Sequence, residues 1–495
     1  MMRRAVAAAA VALLALGLHL PAGADHDADL HSPNMSLVAN FADDGAYSAG
    51  SDIGFWGNRA VFGNLGPGGF RLMDISDPAQ PRMLSNFECE GSQSDVSIWE
   101  DLVFVSVDAA QFGPECGSGA ASLDQFVIGN VWEGVRIVSI ADPANPRQIA
   151  AVDTDCGSHT HTLVPDVANG RVLLYVQSYP LTNHSVECNP ISHRKISVIE
   201  VPLDDPASAS VISTPSVSPS IGCHDVTVFP ERKLAGAACI TQSQLWDISD
   251  PANPVIISSI VNPLINIHHS SGFSWDGNTL VLGDELGGAA AAPGCLGLGL
   301  PLGALWFYDV TDPANPVEAG SYVLSRQTVS AFCTAHNFNM IPLTDGRDVL
   351  VSAWYDGGTT VVDFTDPANP TEIGHYVAEG GITWSSYFYN GYIYANNYGD
   401  RGIDVLRLDE PFLAARVALP RMNAQTQERL PSSSGAGTGS GGQDPPAGDA
   451  EPKPAPKVLG GRTLPGTGVA RPSWAGATFV VLAAIVAVRM RRSSD

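Results

Sequence analysis

The chain has 495 residues with 26 Lys and Arg against 51 Asp and Glu, a formal net charge of −25. Its only lysines are Lys195, Lys233, Lys453 and Lys457, so the basic patch that nucleic acid or an anionic membrane surface would demand is excluded. With 44% apolar and 16% charged residues the bulk is globular, and 50 Gly with 36 Pro favour a turn-rich, all-β architecture.

In chain order, Arg3-Arg4, the apolar run Ala5–Leu20 and Pro21-Ala22-Gly23-Ala24 read as a secretory signal peptide over residues 1–24. A basic start, an apolar stretch too short to span a bilayer and small residues at the end predict cleavage between Ala24 and Asp25. A short lead, 25–35, follows.

The next segment is organised by a recurring phrase. It stands at Asp74-Ile75-Ser76-Asp77-Pro78-Ala79-Gln80-Pro81, Ser139–Pro146, Asp247–Pro254, Asp309–Pro316 and Asp363–Pro370, with a degenerate copy at Leu203–Ala207. Asp-Pro and Asn-Pro cannot sit inside a central ladder, so each copy is a tight turn between two neighbouring strands. Repeats of about 45 to 65 residues holding four short strands predict a β-propeller over residues 36–412. Inner strands starting near Ser51, Ser94, His161, His224, His269, His336 and Ser386 give seven blades. The last blade lacks an outer strand, and Ser36–Phe41, similar to Arg82–Phe87, is expected to supply it and close the ring. The phrase resembles the LVIVD repeat, which implies a propeller and no particular activity.

Eight cysteines, Cys89, Cys116, Cys156, Cys188, Cys223, Cys239, Cys295 and Cys333, lie between the signal and the tail. In an exported chain an even set without a C-x-x-C pair reads as disulfides rather than metal ligands. Sequence leaves the pairing open; sequential pairing is the favoured arrangement.

The inner-strand starts carry His161, His224, His269 and His336 in four consecutive blades, and inner strands line the central channel. Imidazoles converging on the axis could hold one transition-metal ion, Fe, Cu or Zn, or a small polar ligand. Asp225, Asp284 and Glu285 are the outer partners that would orient them. The alternative is that duplication copied a His that merely caps the strand. Insertions at about 108–132, 178–193 and 284–303 should rise over the same face, where Phe112, Phe126, Trp132, Tyr179, Trp354, Tyr355, Trp384 and Tyr398 could face a ligand. No G-x-S-x-G elbow supports a serine hydrolase. The His-Asp, His-Ser, Gly-Asp-Glu-Leu and His-Asn phrases resemble the surface-protein group called choice-of-anchor B, whose members share one propeller and differ in sorting signal.

Residues 413–463, rich in Pro, Gly and Ser, read as a disordered spacer. Then come Leu464-Pro465-Gly466-Thr467-Gly468, an apolar segment 474–488 expected to be an anchor helix, and a basic tail. Over 464–495 this order resembles the LPXTG cell-wall sorting signal of Gram-positive bacteria. The resemblance implies sortase cleavage between Thr467 and Gly468, linkage to peptidoglycan, and membrane contact through the apolar segment before processing. The sequence thus predicts a cell-surface propeller that binds a ligand or adheres to a partner, with a metal-dependent oxidative or hydrolytic enzyme as the alternative.

Overall fold

The computed structural model describes residues 29–41, 50–66, 68–121, 131–180, 188, 191–286, 292–293, 301–324, 326, 332–398 and 401–428. The signal peptide, the spacer beyond 428, the sorting signal with its apolar segment, Phe126 and Cys295 lie outside these residues. Among the described residues no helix is long and apolar enough to cross a membrane.

The described strands form seven antiparallel blades, as expected. Their inner strands are Gly50–Trp56, Val96–Trp99, Thr160–Asp166, Val226–Phe229, His268–Phe273, Phe338–Met340 and Ile382–Tyr389. Each repeated phrase is the turn between the third and outer strands, and its side chains explain its composition. In the fourth blade the Asp247 carboxylate accepts from Ser249 N at 2.8 Å, while Asp250 accepts from Ala252 N at 3.1 Å and Asn253 Nδ2 at 2.9 Å. The same bonds recur at Asp309 and Asp312 and at Asp363 and Asp366. These aspartates replace backbone partners in an Asx turn, so part of the acidity is turn chemistry.

Ring closure follows the expected exchange: Met35–Phe41 pairs antiparallel with Ile403–Leu408 as the outer strand of the seventh blade. The lead does more than expected, because Leu30–His31 adds a fifth strand to the sixth blade. Asp29 is fastened there by Arg401, with Nη1 to Oδ1 at 3.1 Å and Nη2 to Oδ2 at 2.9 Å. A bidentate guanidinium pair of this kind fixes geometry as well as charge.

The apolar core lies between blades. Ile53, Phe55, Phe62 and Met73 of the first blade pack against Tyr387, Tyr389, Tyr394 and Val405 of the seventh, and equivalent clusters fill the other junctions. Three disulfides join Cys89 to Cys116, Cys156 to Cys188 and Cys223 to Cys239, all sequential neighbours. Cys333 is disulfide-bonded as well; its expected partner is Cys295.

The propeller does not stop at 412. Pro411–Ala415 forms a 3-10 turn, and Arg421–Asn423 pairs with Gly54–Trp56, the far end of the first inner strand. From there the chain enters the channel. Asn423 accepts from Ile98 N at 2.8 Å and donates to Ile98 O at 3.1 Å. Gln425 Nε2 reaches Asp52 Oδ2 at 2.8 Å, Thr426 Oγ1 reaches Leu163 O at 2.6 Å, and Gln427 bridges Phe273 N and Ser274 O. Residues 421–428 thus plug one end of the channel and touch the inner strands of the first six blades. Their assignment to a disordered spacer is corrected.

Candidate functional site

The opposite end of the channel, where inner strands begin, carries the histidines. Three of them occupy one repeating backbone position: the N–H of His159 donates to Gln177 O, that of His224 to Ala238 O and that of His336 to Ala353 O, at 2.8–3.1 Å. The third-blade member of the ring is therefore His159, and His161 stands inside the strand ladder opposite Val176. Both ring nitrogens of His161 are engaged, Nε2 with Ser97 Oγ at 2.7 Å and Nδ1 with Ser106 Oγ at 2.8 Å, and Asp95 lies 3.2 Å from Nδ1. It is a packed, fully partnered histidine. Although Ser97, His161 and Asp95 have the order of a hydrolytic triad, each is buried between blades where no substrate can reach.

In the fifth blade a β-bulge sets the geometry. The register jumps between His268 and Ser270, so His269 has no opposite residue and swings out of the ladder towards the axis. His268 stays paired, its Nδ1 bonded to Ser243 Oγ at 2.7 Å. Gly222, with φ 145, lets the chain before His224 pass Ser178 O, which a Cβ would meet at 2.4 Å.

The four imidazoles form a continuous row. Ring centroids are 4.6 Å apart for His159 and His224, 3.8 Å for His224 and His269, and 4.5 Å for His269 and His336. Side-chain exposure falls from 17% at His159 to 6% at His224 and 1% at His269 and His336, so the row opens at its His159 end. Three rings are oriented through Nδ1: His159 by Asp108 Oδ2 at 2.7 Å, His224 by Asp225 Oδ1 at 3.1 Å, and His336 by Trp384 O at 2.6 Å. Donating Nδ1–H to an oxygen leaves the Nε2 lone pair pointing elsewhere. His159 Nε2 lies 3.0 Å from His224 Nε2 and 3.1 Å from the Tyr179 hydroxyl. His336 Nε2 and His269 Nδ1 are buried without a hydrogen-bond partner among the described residues.

Glu285 faces the row directly instead of supporting it from behind. Its Oε2 is 3.6 Å from His269 Nε2, its Oε1 3.9 Å from His336 Nε2, and Oε1 accepts from the Tyr355 hydroxyl at 2.5 Å. Tyr355 holds a left-handed backbone, φ 50, clamped by two main-chain bonds to Thr383, a conformation that costs a non-glycine residue about 1 kcal/mol or more. Asp284 turns away and accepts from the backbone N–H groups of Asn266, Ile267 and Gly303. Trp384 packs on His336 and Tyr398 on Trp384. Trp354 lies in the inter-blade core, Trp132 is buried beside Arg136, and Phe112 is half exposed.

Burial sets the protonation states. Desolvation, reinforced by neighbouring imidazoles, holds His224 and His269 well below the usual histidine range and brings His336 down to about 3. It pushes Glu285 up to about 8 and Asp284 to about 6, and Asp225 well above the carboxylate range. His224, His269 and His336 are thereby held neutral at pH 7, each with one lone pair available.

The inner strands are held together without these rings. Ser270 Oγ donates to His336 O at 3.0 Å, Asp225 N donates to His269 O at 3.1 Å, and Thr160 Oγ1 donates to His224 O. Main-chain carbonyls of the histidines thus tie the third to sixth blades together, and of the four rings only that of His336 bonds the main chain of the next blade, at Trp384 O. A second group of candidate ligands, Cys156, Cys188 and His193, is a disulfide with a histidine beside it.

Among known proteins, the family model of the LVIVD repeat matches residues 353–378, the stretch around the Asp363–Pro370 turn of the sixth blade. The chain carries an LVIVD repeat within a seven-bladed propeller. No curated protein matches it. It is similar to a functionally unknown protein from Desulfotomaculum acetoxidans whose crystal structure is known, at 12% identity and a TM-score of 0.45, over 67% of this chain and 86% of that one.

Proposed function

We propose that this protein is an exported, surface-displayed propeller that binds a ligand through the histidine end of its channel. When that ligand sits on another surface, the module acts in adhesion. The observation that carries the reading is convergence: His159, His224, His269, His336 and Glu285 meet at this end, and two of the buried ring nitrogens lack a hydrogen-bond partner among the described residues. Converging imidazoles and a carboxylate held on rigid strands are suited to meet a ligand. The disulfides accord with an oxidising compartment, and the Leu464–Gly468 pentapeptide supports attachment to the wall.

Two measurements test this. Native mass spectrometry of the chain released from its producing cells should show a non-covalent species that is lost on denaturation and absent in the Glu285→Gln, His336→Gln double variant. Identical native and denatured masses for the parent chain contradict ligand binding. For display, enzymatic digestion of the wall should release a chain ending at Thr467 with a peptidoglycan fragment attached, and recovery of chains ending at Asp495 in the membrane fraction contradicts wall linkage.

A further inference from the structure

We infer that the bound species is a divalent first-row transition-metal ion, held by His224, His269 and Glu285, with His159 and His336 flanking them in the row. This rests on the reading of the histidine end as the binding end, and it names the ligand. Donor atoms of His224, His269 and Glu285 all lie within 4.8 Å of one another, and all three residues are buried. Two donors about 2.1 Å from a common ion at 90–110° stand about 3.0–3.4 Å apart. The observed separations are 3.0 Å for His159 and His224, 3.6 Å for His269 and Glu285, and 3.9 Å for His336 and Glu285. Side-chain shifts of about 1 Å bring the donors of His224, His269 and Glu285 to bonding distance.

The orientation of the rings agrees. Asp108, Asp225 and the Trp384 carbonyl each engage an Nδ1, which fixes the tautomer and turns Nε2 inward, as ligating histidines require. The unpartnered His336 Nε2 has nothing else to bind among the described residues, and ligation through His269 Nε2 places that ring's proton on Nδ1. Imidazole and carboxylate without thiolate select an ion of intermediate hardness, Fe(II), Co(II), Ni(II), Cu(II) or Zn(II), over Ca(II), Mg(II) or Cu(I). The fall in exposure from His159 to His336 leaves the His159 and Tyr179 side as the approach for a small molecule to the ion.

The test uses the full chain without a polyhistidine tag, stripped with chelator and dialysed against Co(II) or Zn(II) alone. The expected result is one ion per chain by elemental analysis, visible absorption from the Co(II) form, and a melting temperature raised by about 5 °C. His224→Gln and Glu285→Gln should lose the ion and the absorption. His161→Gln, which alters a buried histidine of the same blade outside the row, should keep both, and near-ultraviolet circular dichroism reports whether each variant is folded. A folded parent chain that takes up no ion, or folded ligand variants that bind it as the parent does, overturns the inference. If native mass spectrometry then still shows an organic species at the channel mouth, the binding module stands and only the metal falls. If nothing is bound, both fall.

Discussion

One channel has two ends built on opposite principles. At the plugged end, Asn423, Gln425, Thr426 and Gln427 are buried and each finds a partner on a different inner strand. At the other, imidazoles and a carboxylate are buried just as deeply, yet two ring nitrogens have no partner among the described residues and Glu285 is kept from ionising at neutral pH by burial. Polar burial by itself therefore carries no functional message. What distinguishes a structural polar cluster from a binding one is whether its groups are satisfied.

Mutation can break this comparison from either side. The largest loss should follow Asn423→Ala, Gln425→Ala and Gln427→Ala together, which strands Ile98, Asp52 and Ser274. At about 1–3 kcal/mol per unsatisfied buried group, the triple variant should be less stable by about 4–6 kcal/mol in urea unfolding. A loss below about 1 kcal/mol would make the tail an ornament of the fold. His161→Ala should cost about 2–4 kcal/mol by opening a cavity and removing the ring that bonds Ser97 and Ser106, while the backbone N–H of residue 161 still reaches Asp95.

A pH titration of the metal-free protein sharpens the same contrast. Glu285 has its folded pKa raised from 4.5 to about 8, so its contribution is fully present below about pH 4.5 and is lost as pH rises through 8. His336 is lowered from 6.5 to about 3, and its contribution is present above about 6.5 and lost as pH falls through 3, with His224 and His269 acting in the same direction. Between pH 6.5 and 8, Glu285→Gln should remove about 1–2 kcal/mol of the parent chain's decline, read as a flatter plot of urea midpoint against pH. The smallest effect belongs to His269→Leu, expected to leave the metal-free protein within about 1 kcal/mol of the parent or to stabilise it, because an apolar side chain replaces an unpaired polar one. A strongly destabilised, metal-free His269→Leu protein would show that the row is structural after all.

The propeller was legible because its turns reuse the same residues: Asp-Pro-Ala-Asn/Gln-Pro folds a third strand back on an outer one in five blades, with a degenerate copy in the third, and the inner strands aligned on these turns give the seven blades. The closing strand was legible from its likeness to Arg82–Phe87. The plug was not, since Arg421–Glu428 shows no apolar alternation and its bonds go to strands far away in sequence. His159 and His161 are two residues apart and present the same face of a strand, so only the register of the third blade separates them. Likewise, His269 rather than His268 enters the channel because of a bulge that the adjacent pair of histidines does not announce. Glu285 was visible as a charged residue at a strand end, but its approach to the row is set by the fold.

Anomalous scattering from crystals of the metal-loaded protein, recorded at the absorption edge of the bound element, tests the account most directly. One peak is predicted about 2.0–2.3 Å from donor atoms of His224, His269 and Glu285. A metal-loaded crystal with no peak in the histidine row, or with its peak elsewhere on the ring, would contradict it.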